Sequence, residues 1–477
     1  MEKEEFRKYA HELVDWMADY LENMPTLPVK PSIQPGDIKQ QLPINAPEQG
    51  EDFEKIFTDF KSIILPGMTH WQHPQFFAYF PTGGSEPSIL AEMLATTLGA
   101  QCMIWLTSPA AEELEDRMMV WLRNALGLPS VFTGVIQDGS SAATLVSILT
   151  ARESRSGFSI NQKGFIGNEK YRVYTSTQAH SSIEKDVKIA GIGYENLVKI
   201  QVDHNYAMKT DLLEKAIQED ILLGFIPLCV VSTIGTTSST AIDPIRQISE
   251  ICIKYGCWHH IDASYAGTAL LLPEMRWMNE GMESADSFVF NPHKWMLTHF
   301  DCSVYFVKDK NALIQTFSIL PEYLKTPEDK LVNNYRDWGI PLGRKFRALK
   351  LWFVMRSYGL EGLRSKIRLD IALGQWLKET ITSTDNFEVV APVPLNLVCF
   401  RLKPAGMEDE VLLNQLNQKL LSRLNVSGKI LLTQTILDGK FIIRMVAGAT
   451  HSKKEDFEKG WNMILESAND LLATEKN

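Results

Sequence analysis

Apolar residues recur at helical spacing at the start of the chain, where Phe6, Leu13, Trp16, Met17, Tyr20 and Leu21 share one face between residues 3 and 23. This spacing predicts an amphipathic helix. A Pro-rich extended segment, Pro25 to Pro47, has no core of its own and is expected to lie along the main body or a partner subunit. A second helix is expected from Asp52 to Ile64, and further helices from Ser88 to Leu98 and from Pro109 to Leu126. Glu112, Glu113 and Glu115 stand near the start of the last of these, where the helix dipole favours them. From Tyr171 to Val289 short apolar runs alternate with helical periods. Strands are predicted over 172–176, 197–202, 228–233, 257–261 and 288–290, with helices over 182–190, 210–220 and 243–255. Such alternation predicts an α/β fold with a mostly parallel central sheet covered by helices. Helical periodicity resumes at Lys345 and runs through Glu379. The tail carries strands near 387–390, 397–401 and 441–446. A last helix is expected from Ser452, capped by the Ser452/Glu455 pair, to Leu472. The expected organisation is an N-terminal helical and extended arm (1–84), a large domain (85–358) and a small α+β C-terminal domain (359–477).

In such sheets ligands bind at the carboxyl ends of the strands. Thr177 to Ser181 follow one strand, with His180 among them. Gly235-Thr236-Thr237 follow another, Asp262-Ala263-Ser264 a third, and His293-Lys294 a fourth. The last strand stops at Asn291-Pro292, because proline restricts the residue before it and cannot donate to a ladder. Lys294 then sits between an aromatic strand and Trp295. Desolvation there disfavours the ammonium and leaves a free amine, the state that forms a Schiff base; a lysine snorkelling to water is the plain alternative. Val135 to Thr144 reads as strand, small-residue turn and helix. Gly139, Ser140 and Ser141 would aim free N–H groups and hydroxyls at one point, which suits phosphate, unless a serine simply caps the helix. The aromatic segment Thr69 to Ser88 fits a pocket wall or core packing. Residues 321–342 are polar and turn-rich but hold Tyr335 and Trp338, as an active-site lid would.

The chain has 477 residues, 22% charged and 45% hydrophobic, enough for two or three domains. A net charge of -10 argues against nucleic acid and anionic membranes as partners. The six cysteines form no CxxC pair, which fits a reducing, cytoplasmic setting. The start MEKEEFRKYA lacks the apolar core of a signal peptide. The run from Ile221 to Ile234 is too short to cross a bilayer. His70 and His73 have no acidic or Cys ligand nearby, and of His259, His260 and Asp262 only the last two share a strand face. No metal is expected.

A phosphate cup, a stacking His, an Asp and a desolvated Lys together match pyridoxal 5'-phosphate, whose ring nitrogen, aldehyde and phosphate need those partners. The stretches NPHKW (291–295), HIDASYAG (260–267), QAHSS (178–182), IGTT (234–237), FFAYFPT (76–82) and NYRDWGIPLGRKFRALKLW (334–352) closely resemble the pyridoxal-phosphate-dependent aromatic-L-amino-acid decarboxylases. This group also holds histidine, tyrosine and tryptophan decarboxylases, and the resemblance runs end to end. It implies the fold-type I, aspartate aminotransferase-like architecture. It also implies a homodimer with its active site at the subunit interface and the N-terminal arm wrapped around the other subunit.

Carried over by position, the resemblance makes Lys294 the Schiff-base lysine, Asp262 the partner of the ring nitrogen and His180 the residue stacked on the ring. Thr237, Asn291, His293, Ser140 and Ser141 become phosphate and cofactor contacts, although Asp138-Gly139 departs from the family's commonest turn. Ser264 stands beside the ring where many members have Ala. Trp71, Tyr79, Phe80 and Thr82 match the aromatic substrate pocket. Residues 101–104, Met103 among them, match a segment lent by the neighbouring subunit, though they differ from the animal enzymes. Tyr335 is matched to the family's proton donor, with His180 as helper. In related aldehyde synthases that Tyr is typically Phe, or the stacking His is Asn. Both are present here, which implies release of amine and CO2, and implies that Tyr335→Phe would yield aldehyde. Gly343 replaces a Ser of the histidine and plant tyrosine enzymes, leaving room for an indole or catechol ring at an advantage of ~1–2 kcal/mol. The alternatives within pyridoxal-phosphate chemistry are an aromatic aldehyde synthase, a histidine decarboxylase or an aminotransferase. The last would need a fixed cation for the substrate carboxylate, for which Arg444 is the late candidate unless it serves a structural ion pair. A non-enzymatic scaffold would leave the desolvated lysine without a role.

Overall fold

The structure, a computed structural model, describes residues 1–167, 169–319, 324, 326–329 and 331–475. The lid expected at 321–342 therefore lies partly outside the described residues, at 321–323, 325 and 330. The chain forms two compact units, one of Met1–Pro81, Glu379–Val390 and Cys399–Asn477, the other of Thr82–Lys378 and Ala391–Val398.

In the second unit seven strands make one sheet among the described residues. They are β1 (Thr133–Gln137), β2 (Tyr171–Ser176), β3 (Leu197–Ile200), β4 (Ile226–Thr233), β5 (Trp258–Asp262), β6 (Ser287–Phe290) and β7 (Ser303–Val307), in the order β1-β7-β6-β5-β4-β2-β3. Five neighbours, β6-β5-β4-β2-β3, run parallel, while β7 is antiparallel to both β6 and β1. Both faces are covered, which is why the strands read as unbroken apolar runs. Val173, Cys229 and Val231 meet Leu145 and Ile148 of the helix Ser140–Ser156 and Ile183 and Val187 of the helix Ser182–Ile189. Tyr174 and Val230 point the other way, onto Leu213, Ile217 and Ile248 of the helices Thr210–Leu222 and Ile245–Tyr255. Each such aliphatic side chain contributes roughly 1.5–3 kcal/mol on burial.

Several boundaries differ from the sequence expectation for physical reasons. β3 stops at Ile200, because Val202 turns away to bridge Met208. β7 is an additional strand. The helix expected from Lys345 to Glu379 spans Arg347–Thr382 but breaks at Gly359, whose φ of 62° and ψ of 173° are not helical. At the carboxyl end of β4, Gly235 has a φ of +84°, and a Cβ there would lie 2.5 Å from the Cβ of Ala266. Gly235→Ala is expected to cost about 1–3 kcal/mol in urea unfolding through backbone strain and overpacking. A loss below about 0.5 kcal/mol would mean that this turn shifts freely.

In the first unit the helix Lys3–Asn23 buries no residue fully but lays aromatics on its neighbour. Trp16 meets Phe57 and Phe60 edge-on at 5.8 and 5.4 Å, and Tyr9 meets Phe53 at 4.7 Å. The expected helix 52–64 is α-helical only over Phe53–Asp59 and widens to a π turn over Phe60–Ile64. The Pro-rich arm includes a short helix, Asp37–Gln41. It is anchored at Val29, which is fully buried and whose N–H donates to the Gly428 carbonyl at 2.8 Å. A four-stranded sheet in the order β10-β11-β9-β8 uses β8 (Phe387–Val389), β9 (Leu397–Leu402), β10 (Thr433–Leu437) and β11 (Lys440–Val446). The last helix is Lys454–Glu475. Asp456 closes its start by accepting the Lys453 N–H at 2.9 Å, in place of the expected Ser452/Glu455 pair.

Candidate active site

The carboxyl ends of four adjacent parallel strands, β2, β4, β5 and β6, carry the predicted residues. Register places Thr233 opposite Asp262, and Asp262 opposite Val289. The turn after β6 is short because Asn291 is extended (φ -112°, ψ 98°) and Pro292 opens a single helical turn, Pro292–Trp295. The Lys294 N–H donates to the Asn291 carbonyl at 3.0 Å. The Lys294 carbonyl accepts the Gly83 N–H at 3.0 Å, and a Cβ at Gly83 would stand 2.9 Å from that oxygen. Trp295 is locked beneath the turn. Its indole N–H donates to Asp370 at 2.8 Å, and its ring stacks on Tyr265 at 4.9 Å.

Burial lowers the pKa of the Lys294 amine, and the Asp262 carboxylate opposes that shift with a smaller effect. Asp262 is itself buried, and one of its oxygens accepts both the N–H (3.0 Å) and the hydroxyl of Ser264. Ser264 thus orients the carboxylate. The His180 ring is reached by water, yet the protein around it lowers its pKa by desolvation. Asp262 acts in the opposite direction, and Lys294 adds to the lowering. His180 Nδ1 accepts the Ser182 N–H at 3.1 Å, which leaves Nε2 as the protonated nitrogen of the neutral ring. Lys294, Asp262 and His180 therefore form one electrostatic group.

Around them, Asn291 Oδ1 accepts the hydroxyls of Ser140 (2.5 Å) and Ser303 (2.6 Å). His293 Nδ1 accepts the Cys302 N–H at 2.9 Å, and burial pushes its pKa down to about 4. The helix Ser140–Ser156 starts at Gly139 with no side-chain cap, and nothing lies within 4 Å of where a Gly139 Cβ would be. Its first N–H groups, with Ser140 and the exposed Ser141, are open to an anion, and Thr237 after β4 is also exposed. A desolvated amine, a carboxylate beside it and an uncapped helix start are the donor set that pyridoxal phosphate needs.

Tyr335 lies in the core of the same unit. It is 2% exposed in a cluster with Val135, Val146, Val289 and Trp338, and its hydroxyl has no hydrogen-bond partner among the described residues. Burial raises its pKa well above the usual phenol range, and the Arg344 guanidinium lies 4.8 Å over its ring. Met103 accepts the Arg336 N–H through its carbonyl at 3.0 Å. A Cβ on the exposed Gly343 would come 3.2 Å from Gln101 Nε2, so residues 101–103 pack against 336–344 within this chain. Thr82 is half-buried in the same unit. Trp71, Tyr79 and Phe80 belong to the first unit. Trp71 stacks on Tyr79 at 5.5 Å, and Phe80 lies 5.3 Å beneath Arg444, which also bonds Thr433 at 2.9 Å. Tyr79 holds a φ of 55°.

The paired histidines of β5 serve the fold. His259 bonds Ser232 and Ser249, while His260 faces the opposite way to bond Thr144 and Ser287; burial pushes them down to about 3 and about 4. No group of three or more His, Cys, Asp or Glu side chains suited to a metal ion occurs among the described residues.

Residues 35–403 match the pyridoxal-dependent decarboxylase conserved domain, and the chain belongs to that family. Among its relatives are a phenylacetaldehyde synthase of Arabidopsis thaliana, 42% identical over 99% of this chain and 97% of that protein, and an aromatic-L-amino-acid decarboxylase of Rattus norvegicus, 41% identical over the whole of both. The fold superposes on Oryza sativa TDC with PLP and tryptamine with a TM-score of 0.95, at 33% identity over 99% of each chain. The architecture is that of fold-type I pyridoxal-phosphate enzymes, as expected from the strand–helix alternation.

Proposed function

We infer that the chain decarboxylates aromatic L-amino acids to the corresponding amine and CO2, using pyridoxal phosphate. The observation that carries this reading is Lys294, a buried amine whose pKa desolvation lowers beside a fixed carboxylate. When bound, the cofactor supplies an electron sink for the bond that breaks at the substrate α-carbon. Lys294 would present the amine that reacts with a carbonyl, and its burial favours the unprotonated form. Asp262, steered by Ser264, would hold a proton on the ring nitrogen, and His180 would cover the ring face. Ser140, Ser141, Thr237, Asn291, His293 and the helix start would bind the phosphate. Trp71, Tyr79, Phe80, Thr82, Met103 and Gly343 are proposed to contact the substrate ring. A homodimer with a shared active site and a cytoplasmic location are part of the same proposal. Six free, buried cysteines suit a reducing compartment, and no helix among the described residues is long and apolar enough to cross a membrane.

The donor that returns a proton to the α-carbon separates the amine reading from the aldehyde reading. The family match gave that role to Tyr335, whose hydroxyl is buried with no hydrogen-bond partner among the described residues. The same segment holds a second tyrosine, Tyr323, outside the described residues. The purified protein should therefore be mixed with pyridoxal phosphate and equal tryptophan, 5-hydroxytryptophan, DOPA, tyrosine, phenylalanine, histidine and glutamate, and its products identified by mass. Tryptamine, serotonin, dopamine or tyramine is expected, and histamine or aldehyde with peroxide would refute the reading. Tyr335→Phe is expected to leave the amine unchanged, and Tyr323→Phe to divert product to aldehyde. Aldehyde from Tyr335→Phe alone would restore the donor role to Tyr335.

A further inference from the structure

Behind Asp262 lies a second carboxyl group that the reaction as described does not use. The helix Ser182–Ile189 follows β2 directly after His180, and it turns Ile183, Asp186 and Val187 to the sheet. Ile183 and Val187 are the expected apolar positions. Asp186 is only 2% exposed on that same face, and its Oδ2 has no hydrogen-bond partner among the described residues. Val173, Cys229 and Val231 line the sheet under this helix. By strand alternation Thr175, Thr233 and Asp262 share their face. Thr233, opposite Asp262 in register, also buries an unpartnered hydroxyl. A buried carboxyl oxygen left unpaired costs about 1–3 kcal/mol, and an apolar residue at position 186 would avoid that cost.

We propose that Asp186 is a positioning residue for the cofactor, a second negative charge behind Asp262 that strengthens the hold of Asp262 on a protonated ring nitrogen. This rests on the pyridoxal-phosphate reading above. The group is poised to change charge in the working range. Burial, with the Asp262 carboxylate next in effect, raises the Asp186 carboxyl to about 7, and Lys185 opposes them. His180 and Lys294 in turn interact with Asp262. On the same helix Glu184 pairs with Lys188 on the solvent side. On the neighbouring helix Arg152, paired with Glu153, reaches only the far end, at the Ala190 carbonyl. Below neutrality Asp186 is protonated and adds little to the field. Above it, the carboxylate favours the protonated ring.

The test compares cofactor affinity at two pH values. Wild-type apoprotein and Asp186→Asn are titrated with pyridoxal phosphate at pH 6 and pH 8, following the absorbance of the bound cofactor. Ionisation of the free cofactor affects both proteins alike and cancels in the ratio. The expected result is equal affinity at pH 6 and about three- to tenfold weaker binding by the variant at pH 8, the effect of one nearby charge partly screened. Asp186→Ala should show the same split, with any packing loss common to both pH values. Equal affinities at both pH values, or an equal loss at both, would overturn the proposal. Failure of the wild-type protein to bind the cofactor at either pH would instead count against the functional reading.

Discussion

Lys294→Ala is expected to lower amine release by at least about 1,000-fold, because a covalent catalyst is lost and not merely a contact. Trp295 stays pinned by Asp370, and the turn after β6 is held by backbone bonds to Asn291 and Gly83. The variant should therefore fold and keep the anion cradle, which is built from other residues. A readout independent of turnover is borohydride reduction of the loaded protein followed by peptide mass analysis. The wild type should carry the cofactor mass on the peptide containing Lys294, and the variant on none. Activity within about tenfold of wild type would remove Lys294 from the chemistry.

Asp262→Asn is the second large effect. The amide keeps an oxygen for the Ser264 N–H, so the local geometry survives while the charge is lost. A neutral partner cannot hold the ring nitrogen protonated, and kcat should fall by about 100- to 1,000-fold, the range seen when one preorganised electrostatic contact is removed. There is also a signed consequence for Lys294. Asp262 raises the pKa of that amine against the lowering effect of burial. Without it the amine loses its proton at still lower pH, so the acid limb of cofactor attachment should move down. If kcat held while only KM rose, Asp262 would be a binding residue.

Much of this was legible in the sequence because a doubly covered parallel sheet writes itself plainly. Val230 and Val231 face opposite sides and are both fully buried, so the strand shows no polar alternation to confuse with a surface strand. The residues after each strand then fall at the carboxyl edge of the sheet without further assumption, and His180, Asp262 and Lys294 lie there. What stayed hidden depends on partners distant in sequence. Tyr335 lies in a polar, turn-rich stretch and reads as a lid residue. Its burial comes from Val135, Val289 and Arg344, and no local pattern announces that. Asp186 did leave a trace, a carboxylate at the i+3 position of an apolar helical face. The end of β3 and the break at Gly359 turn on single backbone choices that periodicity averages away.

The place of β7 also dictates an order of assembly. Its partners are β6 on one side and β1 on the other, so the strand at residues 133–137 has no sheet to join until residues 303–307 have been made. During synthesis, β2 to β5 can pair early with near neighbours, while β1 and the serine turn that follows it wait, carrying the loop-closure entropy of everything between. The hydroxyl of Ser140 reaches Asn291 only when that long loop closes. The proposed cradle for the cofactor is thus completed after the rest of the sheet. A chain truncated before β7 should keep an apolar β1 hairpin-less and exposed, a species that chaperones would be expected to hold.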